Sequence, residues 1–285
     1  IHTTLKQHGT VTGRLSSSEP NLMNLPRASE DRFRIREAFI ASARKRLVVA
    51  DYGQLEMRLL AHFSGDVKMI DAILRDIDIH CLTVAEMYGI PYDEVMAAKK
   101  HESDYKKGKR KDPLTDREEE LLFLRQAAKA TGFGIVYGIG GPHLAANLTR
   151  ELGKTLTADE GTDLIKKWFS VFPGAHSYIE GQKTLIFNEG RVQTLLGRFR
   201  TLGDAKSMTK RDRAAAMRMG VNARIQGSAA DIVKSAMLRS EFDETLKALG
   251  ARLLLQIHDE LIWEVDDEPE IYKPMMARAK EIMED

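Results

Sequence analysis

Three groups of residues in this sequence have the types and spacing to do chemistry. The first is Leu253-Leu-Leu-Gln-Ile-His-Asp-Glu-Leu-Ile-Trp-Glu-Val265, where two apolar runs flank His258, Asp259 and Glu260. Aliphatic and aromatic residues favour strands, and the polar trio between them suits a tight turn. A carboxylate held at such a tip, with no Lys or Arg beside it in sequence, is a ligand type for a hard divalent cation; the competing reading is an ordinary solvated turn. The second group is Arg46-Leu-Val-Val-Ala-Asp51, which reads as a short buried strand ending in an acid. The residues from Tyr52 to Phe63 read as a helix, with Leu55, Leu59 and Leu60 near the helical period. Two aspartates on neighbouring strand ends could bind two metal ions about 3.5–4 Å apart, an arrangement that serves in-line phosphoryl displacement. The alternative for Asp51 is a helix N-cap.

The third group is Arg125-Gln-Ala-Ala-Lys-Ala-Thr-Gly-Phe-Gly-Ile-Val-Tyr137. Arg125, Lys129, Phe133 and Tyr137 are spaced by four and form one slowly drifting stripe along a helix. At about 1.5 Å per residue the stripe spans roughly 18 Å. Two cations lead and two aromatic faces follow, the polarity of a nucleoside triphosphate. The competing reading is an amphipathic helix with Phe133 and Tyr137 in the core. Glycines at 132, 134, 138, 140 and 141 predict that this helix ends near Tyr137 and hinges there.

These groups need elements to hold them. The chain has 285 residues, 43% hydrophobic and 30% charged, enough for one large domain or two modest ones. Net charge is only +1, so composition alone does not mark a nucleic-acid binder. Cations nevertheless gather at Lys106–Lys111, at Arg191–Arg200 and from Lys206 to Arg224. One cysteine, Cys81, excludes an internal disulfide and fits a reducing compartment. No apolar run reaches a membrane span and no signal peptide opens the chain. A loop-like opening is followed by the strand and helix around Asp51, helical patterns from about Asp71 to Phe187, and a strand and turn near Arg191–Arg198. An Ala-rich helix or helix pair then runs from about Thr209 to Leu246, followed by the Asp259 hairpin and a helix at the end. The charged stretch Lys99–Glu120 reads as a mobile insertion. Strand-borne acids on either side of a helical block predict an α+β fold.

Together the segments resemble the family A DNA polymerases. The motifs are DYGQLEMR at 51–58, RQAAKATGFGIVYG at 125–138 and QIHDELIWEV at 256–265, in family order, with TVTGRLSSSEPNLMNLP at 10–26 and IREAFIA at 35–41. The resemblance covers nearly the whole chain outside the insertion. It implies a polymerase palm, an antiparallel sheet with helices, formed by 1–75 and 196–285. An inserted, mostly helical fingers subdomain would occupy 76–195. The resemblance also implies that thumb and exonuclease are absent from this stretch and that the palm is truncated at its C-terminus.

The implied activity is template-directed transfer of a nucleotide from dNTP to a primer 3′-hydroxyl, with release of pyrophosphate, in DNA replication or repair. By resemblance Asp51 and Asp259 ligate two Mg²⁺, with Mn²⁺ as a substitute, and the Tyr52 carbonyl assists. Glu260 supports catalysis, and His258 supports it from the DNA side. Glu56 blocks a ribose 2′-hydroxyl, and Gln54 helps position the nucleotide and Glu56. Arg125, Lys129 and His80 hold the triphosphate, and Lys129 could donate a proton to pyrophosphate. Phe133 stacks on the incoming nucleotide, and Tyr137 occupies the template-base site in the open state. Arg14, Asn21, Asn24, Arg218, Asn222 and Gln226 contact DNA. For the last three, with Arg211, helical spacing independently puts hydrogen-bond donors on one side, suited to minor-groove acceptors that every base pair presents. Ser16, Ser17 and Ser18 read equally well as DNA contacts or turn residues. Gly53 and Gly132 depart from the larger residues common in the family.

The expected partners are primer–template DNA and dNTP, with a monomeric protein, no membrane, accessory replication proteins unspecified, and the cytoplasm of a bacterium or phage-infected host. Competing readings are a phage-type single-subunit RNA polymerase, which Glu56 and Phe133 disfavour, a two-metal nuclease and a non-catalytic DNA-binding module.

Overall fold

The structure is a computed structural model that describes residues 2–26 and 31–285. Its elements run β1 (Thr4–Lys6), β2 (Ser16–Ser18), two 3₁₀ turns (Leu22–Asn24 and Ile35–Ala38), β3 (Lys45–Asp51), α1 (Leu55–Ser64), α2 (Val67–Leu74), α3 (Ile79–Tyr88), α4 (Tyr92–Lys106) and α5 (Asp116–Val136). There follow α6 (Gly141–Leu152), α7 (Ala158–Val171), α8 (Pro173–Glu189), β4 (Arg191–Gln193), β5 (Phe199–Thr201), α9 (Lys210–Phe242), α10 (Glu244–Ala248), β6 (Arg252–Ile257), β7 (Glu260–Asp266) and α11 (Pro269–Glu284). The α+β expectation holds.

The chain divides into two units, one of residues 1–55, 193–200 and 223–285, the other of 56–192 and 201–222. Sequence places α1 and α2 with the sheet; they belong instead to the helical unit. The reason is burial: Met57 and Leu60 are almost fully enclosed, and the Asp66 carboxylate caps two helices of that unit. Its Oδ1 accepts from Met69 N at 3.1 Å, and its Oδ2 from Gly174 N at 2.8 Å. The first part of α9 also falls in the helical unit.

In the first unit β3, β7 and β6 form an antiparallel sheet with β7 in the centre. Period-two alternation turns Leu261, Trp263 and Val265 inward, each at most 1% exposed. Trp263 Nε1 donates to Ser240 Oγ on α9 at 2.8 Å, so the buried indole leaves no donor unpaired. Helix α11 buries Met275, Ala279, Ile282 and Met283. Sequence reads β3 as buried. It is an edge strand in which only Val48 is fully enclosed and Val49 is 54% exposed, because an edge strand with one covered face buries alternate residues.

The second unit is a helical bundle. Cys81, Val84, Val95, Ala98, Leu121 and Ala128 from α3, α4 and α5 form one core. Ala127, Leu144, Leu148 and Leu164 join α5, α6 and α7 in another. The Lys99–Glu120 stretch is no separate insert. Its first residues complete α4 and its last begin α5, whose N-terminus carries a Thr115–Glu118 capping box. His101 is buried between them, with Nδ1 2.7 Å from Glu118 Oε1 and Nε2 3.1 Å from Asp112 O. The charge pattern hid this because the cations pair locally, Lys106 with Glu102 and Arg110 with Asp112.

Candidate active site

In the first unit, the β6–β7 register pairs Ile257 with Glu260, which leaves His258 and Asp259 as a two-residue turn. His258 accepts a positive φ of 55° there, an uncommon state for a residue with a side chain. On the other side of β7, Asp51 is the register partner of Glu260. Tyr52 N donates to Asp259 O at 3.1 Å, so the residue after one aspartate is tied to the backbone of the other. Asp51 ends its strand four residues before α1 starts and is not a helix cap. Gln54 turns the chain between them with φ 57°.

The charges of this edge are poorly offset. Burial and the neighbouring Asp259 push the Asp51 carboxyl above its ordinary range. Burial and Asp51 do the same to Glu260, against a smaller opposing influence of Arg36. Neither Asp51 nor Asp259 forms a salt bridge among the described residues. Like charges held together cost free energy that a bound cation would relieve. No group of three His, Cys, Asp or Glu that could hold a metal by itself occurs among the described residues. Two carboxylates nevertheless fit Mg²⁺, which commonly binds one or two carboxylates plus waters and substrate phosphates.

In the second unit, α5 ends at Val136 with Tyr137 as its C-cap, followed by Gly138 at φ 69°. The stripe is only partly free. Arg125 Nη2 donates to Asp78 Oδ2 at 2.7 Å, and its Nε lies 3.2 Å from Cys81 Sγ. Lys129 is half-buried and forms no salt bridge among the described residues. The His80 and Phe133 rings lie with centroids 5.9 Å apart. Burial of His80 lowers its pKa to about 4, so it is neutral at pH 7 and can donate one hydrogen bond. Tyr137 is 45% exposed, and its hydroxyl donates to Glu56 Oε2 at 3.3 Å, while Glu56 is buried. The Arg218 side chain lies against Gly138, where a Cβ would meet it at 2.6 Å. Asn222 is half-buried on the same helix.

In the first unit Arg198, read from sequence only as one of the Arg191–Arg200 cations, joins the opening loop to α9. Arg198 Nη2 donates to Thr12 O at 2.7 Å, Gly227 O at 3.1 Å and Asp231 Oδ1 at 2.9 Å. This ties the loop carrying Arg14 to α9 beside Gln226, which is itself buried. Asn21 caps a turn through its own side chain, accepting from Met23 N at 3.1 Å; Asn24 is exposed. Among the serines, Ser17 is a turn residue: its hydroxyl accepts from Leu22 N at 2.7 Å. Gly132 has a packing reason. A Cβ there would sit 3.1 Å from Trp168 Nε1, tighter than an ordinary contact, so a side chain at 132 would require the indole to give by a few tenths of an ångström.

The family model described as DNA polymerase family A matches residues 1–106 and 114–285. The chain belongs to DNA polymerase family A. Among family A relatives, it is 40% identical over its whole length to the thermostable DNA polymerase I of Thermus aquaticus, covering 30% of that protein. It is 41% identical to DNA polymerase I of Chloroflexus aurantiacus, over 94% of this chain and 25% of the relative. A solved structure of the POL domain of Pol1 from M. smegmatis, in complex with DNA primer-template and dNTP, matches 99% of this chain and 44% of its own. That match has a TM-score of 0.78 and 35% identity. The chain thus spans about a quarter to a third of the curated relatives it matches. The seven residues that the family model skips, 107–113, lie within the link between α4 and α5 and are fewer than the insertion read from charge.

Proposed function

We propose that this chain carries the nucleotidyl-transfer chemistry of a template-directed DNA polymerase, acting on dNTP and primer–template DNA by a two-metal mechanism in replication or repair. The observation that carries the reading is the registration of Asp51 beside the Asp259 turn, fixed by the Tyr52–Asp259 backbone bond in a chain of family A. Two Mg²⁺ ions, or Mn²⁺ in their place, would lower the pKa of the attacking hydroxyl and neutralise the leaving pyrophosphate. Asp51 and Asp259 would hold them with the Tyr52 carbonyl, and Glu260 and His258 would support the pair.

The remaining work falls to side chains. The primer 3′-oxygen forms a bond to the α-phosphorus as the bond to pyrophosphate breaks. Arg125 and Lys129 bind the triphosphate oxygens as fork and point charge, and neutral His80 adds one donor. Lys129 can pass a proton to the departing pyrophosphate. Phe133 offers a face to the base, and Tyr137 stands at the template-base position before closure. Glu56, buried and bonded to Tyr137, excludes a 2′-hydroxyl, with Gln54 aiding nucleotide placement. Arg14, Asn21, Asn24, Arg218, Asn222 and Gln226 contact the duplex. We place the division of labour in a palm of two sequence segments and a helical fingers region. The protein acts as a monomer in the cytoplasm of a bacterium or phage-infected host. Among the described residues no helix is long and apolar enough to cross a membrane.

The test is addition of a single nucleotide to a primer–template. Extension should require Mg²⁺ or Mn²⁺ and a templated dNTP, and Asp259→Ala should lower it on the order of a thousandfold, the scale of several kcal/mol of transition-state stabilisation. Extension by Asp259→Ala near the parent rate would refute the assignment.

A further inference from the structure

One carboxylate organises the cationic end of the helical unit, and its environment singles out a residue outside the nucleotide stripe. Asp78 is the N-cap of α3, and its Oδ1 accepts from His80 N at 3.0 Å and Cys81 N at 2.8 Å. Its Oδ2 accepts from Arg125 Nη2 on α5 at 2.7 Å and from Lys99 Nζ on α4 at 2.9 Å. The Asp78 side chain is 8% exposed, Arg125 18% and Lys99 39%. Burial alone would raise the Asp78 pKa, but the bonds from Lys99, Arg125 and the α3 backbone hold it far below the usual range. The acid is therefore a fixed negative charge beside the arginine assigned to the triphosphate.

Left to itself, such a charge works against anion binding. A carboxylate bonded to a guanidinium cancels much of its field and competes with phosphate for its donors. Lys99 changes that balance. With it, two cations (Lys99 and Arg125) pair with the one carboxylate, and Lys129 adds a third positive charge near His80, which stays neutral. Arg125 then has two restrained nitrogens, Nε toward Cys81 and Nη2 toward Asp78, and its Nη1 donates to no protein acceptor among the described residues. The fork is oriented by Asp78, and the cost of that orientation in charge is offset by Lys99.

We infer that Lys99 is a positioning residue for nucleotide binding: it neutralises Asp78, so that Asp78 can orient Arg125 without consuming the charge Arg125 offers to the polyphosphate. The inference rests on the triphosphate reading of Arg125 and Lys129. It names a lysine from the stretch that sequence reads as an insertion, 21 residues from its acid partner.

The test is calorimetric binding of dATP and of inorganic tripolyphosphate to the full chain with Mg²⁺, across a charge cycle. Lys99→Met should weaken both ligands on the order of fivefold, the scale of a partly exposed ion pair, and leave deoxyadenosine binding unchanged. Lys99→Arg should bind as the parent does. Lys99→Met combined with Asp78→Asn should bind tripolyphosphate more tightly than Lys99→Met alone, because it restores the excess of cations. A purely structural lysine predicts the reverse, since the double variant loses more bonds. Melting temperatures of all variants separate misfolding from lost affinity. Parent-like affinity in Lys99→Met, or a double variant as weak as Lys99→Met, overturns the inference while the triphosphate site stands. Failure of the unmodified chain to bind either polyphosphate overturns both.

Discussion

Two carboxylates of this molecule live under opposite conditions. Asp51, at the end of β3, has acidic neighbours, and its pKa is raised by burial and by Asp259. Asp78, at the start of α3, is deeper yet has its pKa lowered, because Lys99, Arg125 and backbone amides bond it. Burial pushes both the same way; partners decide the outcome. Asp78 is complete within its own unit and acts as an anchor. Asp51 and Asp259 form no salt bridge among the described residues, and the proposed role for that uncompensated charge is to meet a divalent ion. The contrast separates a structural acid from a binding acid without reference to sequence position.

The widest gap between the two regions should appear in nucleotide affinity. Arg125→Ala should weaken dATP binding about 10–100-fold, the scale of hydrogen bonds between charged groups, measured by calorimetry. Asp51→Asn should leave the metal-free affinity for dATP within about twofold. Equal losses would erase the assignment of triphosphate to one unit and metal to the other.

Stability sharpens the same contrast. Asp78 has a lowered pKa, so its contribution is present above the ordinary value of 3.8 and is lost as pH falls through the folded value. Asp78→Asn should therefore cost about 1–3 kcal/mol at pH 7 in urea unfolding. Asp51 has a raised pKa, so its ionised form works against folding above that range. Asp51→Asn should stabilise by about 0.5 kcal/mol, the usual gain when a binding site loses its strain. Two shifts of the same sign would break the comparison.

A pH-dependent effect concerns His80. Its folded pKa of about 4 lies below the ordinary 6.5, so the unfolded chain takes the proton first as pH falls. Stability is intact above 6.5 and declines towards pH 4, on the order of 1 kcal/mol per pH unit. His80→Gln should flatten that decline in a pH series of unfolding curves. An unchanged slope would mean that His80 is not held neutral by burial.

Much of this was legible in the sequence where the determinants are local. The Asp259 turn announces itself because apolar runs on both sides alternate in burial once β7 forms, and α5 ends at Tyr137 where glycines make helix costly. What sequence hid depends on packing between distant elements. Asp78 meets Arg125 across 47 residues, a contact that exists only when α3 and α5 share a core. His101 lies in a run of charge that reads as solvated, yet it is enclosed by the start of α5. Gly132, a departure from the larger residue common in the family, makes a close approach to Trp168. The edge exposure of β3 could not be read from Leu47-Val-Val49, since a run of apolar residues does not tell which face a sheet will cover.

Asp51 and Asp259 are proposed to form a divalent-cation site. The most direct test is Mn²⁺ binding followed by electron paramagnetic resonance in the presence of dATP. The parent chain should bind Mn²⁺ in a manner that Mg²⁺ competes away, and Asp51→Asn and Asp259→Asn should each abolish that binding. Undiminished Mn²⁺ affinity in both variants would contradict the account.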